Sequence, residues 1–251
     1  MLIRIVALVF LLASPLVSAE TTKSLSTGFD FSSGKYGGTT STNILSIPVT
    51  GKIRFDDYFF KLTVPYIRVS STGGVVTQKL GPNKSVSKST IVTQSGLGDI
   101  TASAGYTFYE AERLALDLVG NVKFGTANPE QNLGSGKNDY SAQIDGTYGI
   151  NSTSVFATAG YKIVGAPEGM SVRNIAYATV GASQKLNDIS SVGAALDAAQ
   201  SSSELSSGTR EFSVFYSRKI NKTEKVSVYI LKGFTDSSPD FGFGASITGT
   251  F

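Results

Sequence analysis

Polar side chains that could do chemistry recur at every second position in long segments of this 251-residue chain. Asp117, Asn121 and Lys123 alternate with apolar residues, and so do Gln143 and Asp145. A spacing of two places side chains on one face of a β-strand. Carboxylate, ammonium and amide groups gathered on such a face would either hold water or pair with one another. The predicted set is Lys61, Asp117, Asn121, Lys123, Gln143, Asp145, Lys162, Asp197 and Glu211.

Catalytic motifs are missing from the same sequence. Histidine is absent, which excludes hydrolases that use it as general base. Lysine-based or paired-carboxylate chemistry stays open in principle, although no acid pair stands out. Residues 134–137 are similar to a phosphate loop, but Gln131 and Asn138 occupy the places of its first glycine and its Ser or Thr. We therefore expect no enzyme activity, cofactor or metal.

The elements that carry the polar set are long alternating strands. In residues 99–124, one strand enters a polar turn at 109–113 and a second strand returns; Ala104, Tyr106 and Phe108 share the apolar side of the first. Each strand has about ten alternating residues, the length that a tilted strand needs to cross a bilayer. Average globular strands have about half that length. We interpret the apolar face as lipid-facing and the polar face as lumen-lining. A soluble β-sandwich, with the apolar face buried in a core, is the alternative.

The chain divides into twelve such segments, joined alternately by short turns and longer loops. This pattern predicts an all-β fold, a transmembrane antiparallel up-and-down β-barrel formed by residues 20–251 as one domain. Both termini should lie on the short-turn side, which is periplasmic in bacterial outer-membrane barrels. Ten or fourteen strands would follow if the alanine-rich region 172–201 were divided differently. The longest connection, residues 71–96, should extend two strands as a hairpin beyond the membrane.

Residues 1–19 have the pattern of a cleaved secretory signal peptide. Arg4 precedes an apolar run at 5–12, and Val17-Ser18-Ala19 is a small-residue cleavage site. The apolar run is too short to anchor the chain. Cysteine is absent, so disulfides and a lipoprotein anchor are excluded. The expected location is the outer membrane of a Gram-negative bacterium.

Residues 58–98 contain basic residues but no acidic one. Lys79, Lys84 and Lys88 lie in the loop part of this stretch. One hypothesis is that these lysines bind phosphates of lipopolysaccharide on the outer surface. The alternative is a solvated loop without a partner.

Three short motifs resemble an outer-membrane family associated with the meta-cleavage pathway of phenol degradation. They are Gly96-Leu97-Gly98-Asp99-Ile100, Lys123-Phe124-Gly125-Thr126, and Leu133-Gly134-Ser135-Gly136 followed by Asp139-Tyr140. Gly125 stands where the family has proline, and no glycine follows Thr126. The resemblance implies a transporter-like barrel that admits small aromatic or hydrophobic compounds. It also implies an inward Asp99 near the outer rim; the alternative role for Asp99 is to tie the long loop to the barrel wall.

Charges of both signs inside a twelve-stranded barrel predict a narrow pore. Roughly eight strands enclose only side chains, whereas roughly sixteen to eighteen leave an aqueous channel. We therefore expect a monomer, in contact with outer-membrane lipid and lipopolysaccharide and not with nucleic acid, that gives small molecules a passive, narrow route. The alternative function is a non-conducting structural or adhesion barrel whose basic loop binds surface glycolipid.

Overall fold

The computed structural model describes residues 21–79, 85–169, 171–203 and 207–251. These residues form thirteen antiparallel strands and a short 3₁₀ helix, Pro129–Gln131. The strands are β1 Thr22–Gly34, β2 Thr42–Phe55, β3 Tyr58–Lys79, β4 Ser85–Leu97, β5 Ile100–Glu110, β6 Leu114–Phe124, β7 Asp139–Ile150, β8 Thr153–Ile163, β9 Ile175–Lys185, β10 Ser190–Ala199, β11 Thr209–Lys219, β12 Glu224–Gly233 and β13 Phe241–Thr250. Within these residues, no helix is long and apolar enough to cross a membrane.

The strands close into a twelve-stranded barrel. Each strand pairs with its neighbours in chain order, and both β1–β13 and β2–β3 pairs are present, so the sheet has no open edge. β4 and β5 both pair with the same edge of β3 and together count as one strand of the barrel. β4 pairs with the part of β3 that begins at Tyr66, and β5 pairs with its beginning, from Tyr58 to Thr63. The predicted strand number is therefore confirmed. The β3–β4 hairpin also extends beyond the barrel, as predicted, although residues 80–84 at its tip lie outside the described part.

Short and long connections lie at opposite ends of the barrel, named here the short-turn end and the long-loop end. Asp56 and Asn151 begin two-residue turns and have φ of 47° and 54°. This left-handed conformation suits tight hairpins and is accessible to Asp and Asn. The two termini meet at the short-turn end, where the Lys23 and Phe251 backbones exchange hydrogen bonds of 2.8 and 3.3 Å.

The two faces of the wall have the polarity that the sequence predicts. On β5, Tyr106 and Phe108 are 40% and 46% exposed, whereas Ser103 and Thr107 are 5% and 7% exposed. The buried hydrophobic residues in the described part are few: Phe59, Val119, Ala127, Leu133 and Ala195. A β-sandwich would bury its apolar face. An apolar outer face and a polar inner face are typical of transmembrane barrels.

Candidate functional site

The inner faces of the strands enclose a lumen, and half of the predicted polar residues line one cavity within it. This cavity has a volume of about 460 Å³ and lies near the long-loop end. Its predicted members are Asn121, Lys123, Gln143, Lys162 and Asp197. The other predicted residues share the inner face at different depths. Asp99 forms an ion pair with Lys123, and Glu211 lies opposite Asp197. Asp117 lies opposite Asp145 in the β6–β7 pair, and Lys61 lies opposite Lys52 in the β2–β3 pair. Their role as pore-lining residues stays a prediction.

Lys123 is held between two carboxylates at the long-loop end, an arrangement named here the Lys123 cluster. Its Nζ lies 2.9 Å from Asp99 Oδ2 and 3.1 Å from Asp139 Oδ2. The second oxygen of each carboxylate accepts a backbone N–H at 3.0 Å, from Ala127 to Asp99 and from Gly165 to Asp139. Each acid therefore compensates the lysine and also ties a long loop to the wall.

The loop of residues 125–138 packs on the inner face of the wall. Leu133 is 7% exposed, and it fills the space beside Gly96, where an added Cβ would meet its Cδ1 at 3.0 Å. Gly96 pairs with Ile67, on the inner side of β3. Gly134 leaves room for Asp99, since an added Cβ would lie 3.0 Å from Oδ1. The loop thus narrows the lumen near its long-loop end.

A chain of side-chain hydrogen bonds crosses the middle of the lumen wall. The Tyr177 hydroxyl donates to Gln143 Oε1 at 2.9 Å, and Gln143 Nε2 donates to Asp145 Oδ1 at 2.7 Å. Thr158 Oγ1 also donates to Asp145, at 2.6 Å. On the next strands, Asp197 accepts a 2.6 Å bond from Thr179. Satisfied networks of this kind hold polar side chains in one arrangement.

Three cations lie on the inner face of β2 and β3 toward the short-turn end. Lys52, Arg54 and Lys61 are named here the cation stripe. Lys52 and Lys61 lie directly opposite each other in the β2–β3 pair. Lys52 Nζ is 4.4 Å from the centroid of the Phe59 ring, and Arg54 Cζ is 5.2 Å from it. These distances allow cation–π attraction, which holds the cations without neutralising them.

Asp117 is the carboxylate that reaches the stripe. Its Oδ1 accepts a 2.6 Å hydrogen bond from Thr107 Oγ1, which in turn accepts from Arg54 Nη1 at 3.3 Å. The direct distance from Arg54 Nη2 to Asp117 Oδ2 is 3.9 Å, at the limit of an ion pair. Asp117 therefore compensates one of the three cations only in part.

The sequence analysis missed the aromatic residues of the lumen. Five inward rings each cover a glycine of the neighbouring strand, and a Cβ added to that glycine would lie 2.2–2.5 Å from the ring. The pairs are Phe59 over Gly105, Phe156 over Gly181, Tyr177 over Gly160, Phe215 over Gly193 and Tyr229 over Gly244. The polar parity of each strand is a signal that could have placed the rings inward. It could also have added Arg54 and Asp139 to the set.

Tyr36 lies in the loop between β1 and β2, at the long-loop end of the barrel. The Tyr36 hydroxyl donates to Ser32 Oγ at 2.6 Å, and burial raises the pKa of this phenol above its ordinary value. The backbone of Gly37 donates to Asp236 O at 2.6 Å, which joins this loop to residues 234–240. Tyr36 therefore stays a neutral hydrogen-bond donor where two loops meet.

Several predicted features lie outside the described residues or are described only in part. Residues 1–20, which contain the predicted signal peptide, and Lys84 are outside them. For Lys79 in β3 and Lys88 in β4, the backbone alone is described. Contact of these lysines with lipopolysaccharide stays a prediction. In the described part of the chain, no group of three or more His, Cys, Asp or Glu residues could hold a metal ion.

Comparison with protein-family models finds no match, and neither does comparison with curated protein sequences. Solved structures do match. An outer membrane channel from Pseudomonas putida F1 has a TM-score of 0.69 at 14% identity, over 94% of this chain and 97% of that chain. The fold is that of an outer-membrane β-barrel. NanC porin has a TM-score of 0.60 at 5% identity, over 90% of this chain and 98% of that one. KdgM porin has a TM-score of 0.58 at 13% identity, over 91% and 99%. Association with phenol degradation stays a prediction.

Proposed function

We propose that this chain is a monomeric outer-membrane barrel that gives small molecules a passive, narrow route. The observation that carries the proposal is the combination of an apolar outer face with a cavity of about 460 Å³ on the inside. Lys123, Lys162 and Asp197 are among the residues that line this cavity. Charged and amide groups would keep such a space hydrated, and a hydrated lumen can pass polar solutes.

The route is narrow because the inner surface is crowded. Loop 125–138 occupies part of the lumen near the long-loop end, and aromatic rings project from five strands. Phe156 and Phe215 approach each other with ring centroids 6.3 Å apart. Small aromatic or hydrophobic compounds are the solutes that the sequence resemblance suggests. The rings would offer them apolar contact along an otherwise polar wall.

The proposal includes location and partners. A signal peptide at residues 1–19 would export the chain, and the exposed apolar side chains would then contact outer-membrane lipid. Phe60 and Tyr161, each 52% exposed, are examples. Lys79, Lys84 and Lys88 would face lipopolysaccharide at the cell surface.

Conductance in a planar lipid bilayer tests this function. Purified, folded protein should produce discrete single-channel current steps, and liposomes that contain it should swell in small sugars or small aromatic alcohols. Heat-denatured protein at the same concentration is the control for detergent leakage. A folded protein that gives neither current nor swelling would contradict the passive route and leave the non-conducting barrel as the alternative.

A further inference from the structure

The cation stripe carries more positive charge than its surroundings compensate. The charged groups around Lys52 are Arg54, Lys61 and Asp117, so three cations face one carboxylate. That carboxylate is shared with Thr107 and lies 3.9 Å from Arg54. In the described part of the chain, neither Lys52 nor Lys61 has an ion pair. A net positive charge therefore remains on the inner face of β2 and β3.

This arrangement is unfavourable for folding. Like charges directly opposite each other on paired strands destabilise a sheet, and Lys52 and Lys61 occupy such a pair. A carboxylate at either position would remove the repulsion. Instead, Phe59 lies beneath Lys52 and Arg54, and its other side rests on Gly105. The ring positions the two cations and leaves their charge available.

Arg54 and Lys61 are accessible and Lys52 is half-buried, whereas the ring is buried. The Arg54 side chain is 37% exposed and Lys61 is exposed. Phe59 is only 7% exposed, so a solute could not stack on it. A site of this kind would recognise negative charge, not an aromatic surface.

We propose that the cation stripe is an anion site that makes the channel prefer small organic anions, such as carboxylates, over cations. This inference rests on the proposed channel function. An anion that enters the lumen would find, in the short-turn half, up to three ammonium or guanidinium groups that Phe59 and the β2–β3 pairing hold in place. Cations would be repelled at the same depth.

The test is the reversal potential of single channels in a tenfold gradient of potassium chloride, repeated with potassium acetate as the carboxylate probe. The wild-type channel should be anion-selective with both salts. The Lys52→Gln/Lys61→Gln double variant should lower the ratio of anion to cation permeability about tenfold, because one unit charge about 6 Å from an ion in water changes its partition about threefold. Phe59→Leu keeps every charge but frees two cations, so we expect a smaller decrease.

Lys222→Gln is the control for loss of a lysine charge outside the stripe, since this lysine is exposed in the turn between β11 and β12. It should leave the permeability ratio unchanged. Circular dichroism should show that every variant keeps the β-sheet content of the wild type. A conducting wild type without anion preference, or a double variant that behaves like the control, would overturn the anion site and leave the channel intact. A folded wild type without conductance would overturn both proposals.

Discussion

The cations at the two ends of the lumen have different partners. At the long-loop end, Lys123 lies about 3 Å from two carboxylates, and both carboxylates also bind loop backbone. At the short-turn end, Lys52 and Arg54 lie over the Phe59 ring, and the Asp117 carboxylate lies 3.9 Å from Arg54. In the first arrangement the two carboxylates compensate the charge of Lys123 and hold two loops. The second leaves Lys52, within the described residues, without an ion pair. Lumen cations therefore differ in whether a carboxylate compensates them, and the proposed anion site depends on that difference.

The Lys123 cluster and the cation stripe must both face the lumen. Ile144→Lys tests this assignment of the inner and outer faces of the wall, and it has the largest expected effect. Ile144 lies in the middle of β7 and is 49% exposed on the outer face. A lysine facing lipid at the bilayer midplane should cost about 2–4 kcal/mol of folding free energy. The measurement is a urea titration of protein folded into lipid vesicles.

Asn121→Lys is the control for this prediction, because Asn121 lies on the inner face. It should fold as the wild type does and shift ion selectivity toward anions. Equal destabilisation by both substitutions would show that the faces are wrongly assigned.

Gly105→Ala would disturb the short-turn end by displacing the ring that supports the cation stripe. An added Cβ would lie 2.2 Å from the Phe59 ring, so the ring must move, and overpacking of this kind costs about 1–3 kcal/mol. Gly120→Ala, on the neighbouring strand with open space around its Cβ position, should be nearly neutral. The measurements are the free energy of unfolding in vesicles and the ratio of anion to cation permeability. If Gly105→Ala changed neither quantity, the positioning role of Phe59 would be contradicted.

Asp99→Asn would weaken the long-loop end. The amide keeps an acceptor for the Ala127 N–H, but Lys123 loses one of its two carboxylates. We expect a loss of about 1–2 kcal/mol, together with faster proteolysis of loop 125–138 and a larger mean conductance as the loop leaves the inner face. Asp56→Asn, in an exposed turn, is the control. A loop that stays equally protected would mean that Asp99 does not hold it.

Lys52→Gln has the smallest expected effect on stability and sharpens the contrast with Asp99. It removes a repulsion from Lys61 and a cation–π contact with Phe59, two terms of opposite sign that are each about 1 kcal/mol or less. The free energy of unfolding should change by less than about 1 kcal/mol in urea titration. A loss of about 2 kcal/mol or more would show that Lys52 has a strong partner and belongs with the structural charges.

The sequence predicted much of this fold because its signal is local. In residues 99–124, polar and apolar side chains alternate over the length of a bilayer, and turn residues separate the strands. Each of these features depends on neighbours along the chain. In the alanine-rich region the sequence predicts a strand from residue 172, but β9 begins at Ile175. Small residues do not distinguish a face that contacts lipid from one that lines a lumen.

The polarity of the two faces and the inward parity of Asp117, Asn121 and Lys123 were thus predicted by the sequence alone, and the structure selects twelve strands over ten or fourteen. Only the tertiary structure decided that Lys123 lies between two acids while Lys52 lies on a ring. The physical reason is that parity assigns a side chain to a face, whereas its partner depends on the register of a neighbouring strand. That register sets Phe59 over Gly105, and loop packing sets Asp99 against Ala127. Both are contacts between residues far apart along the chain, which no local pattern encodes.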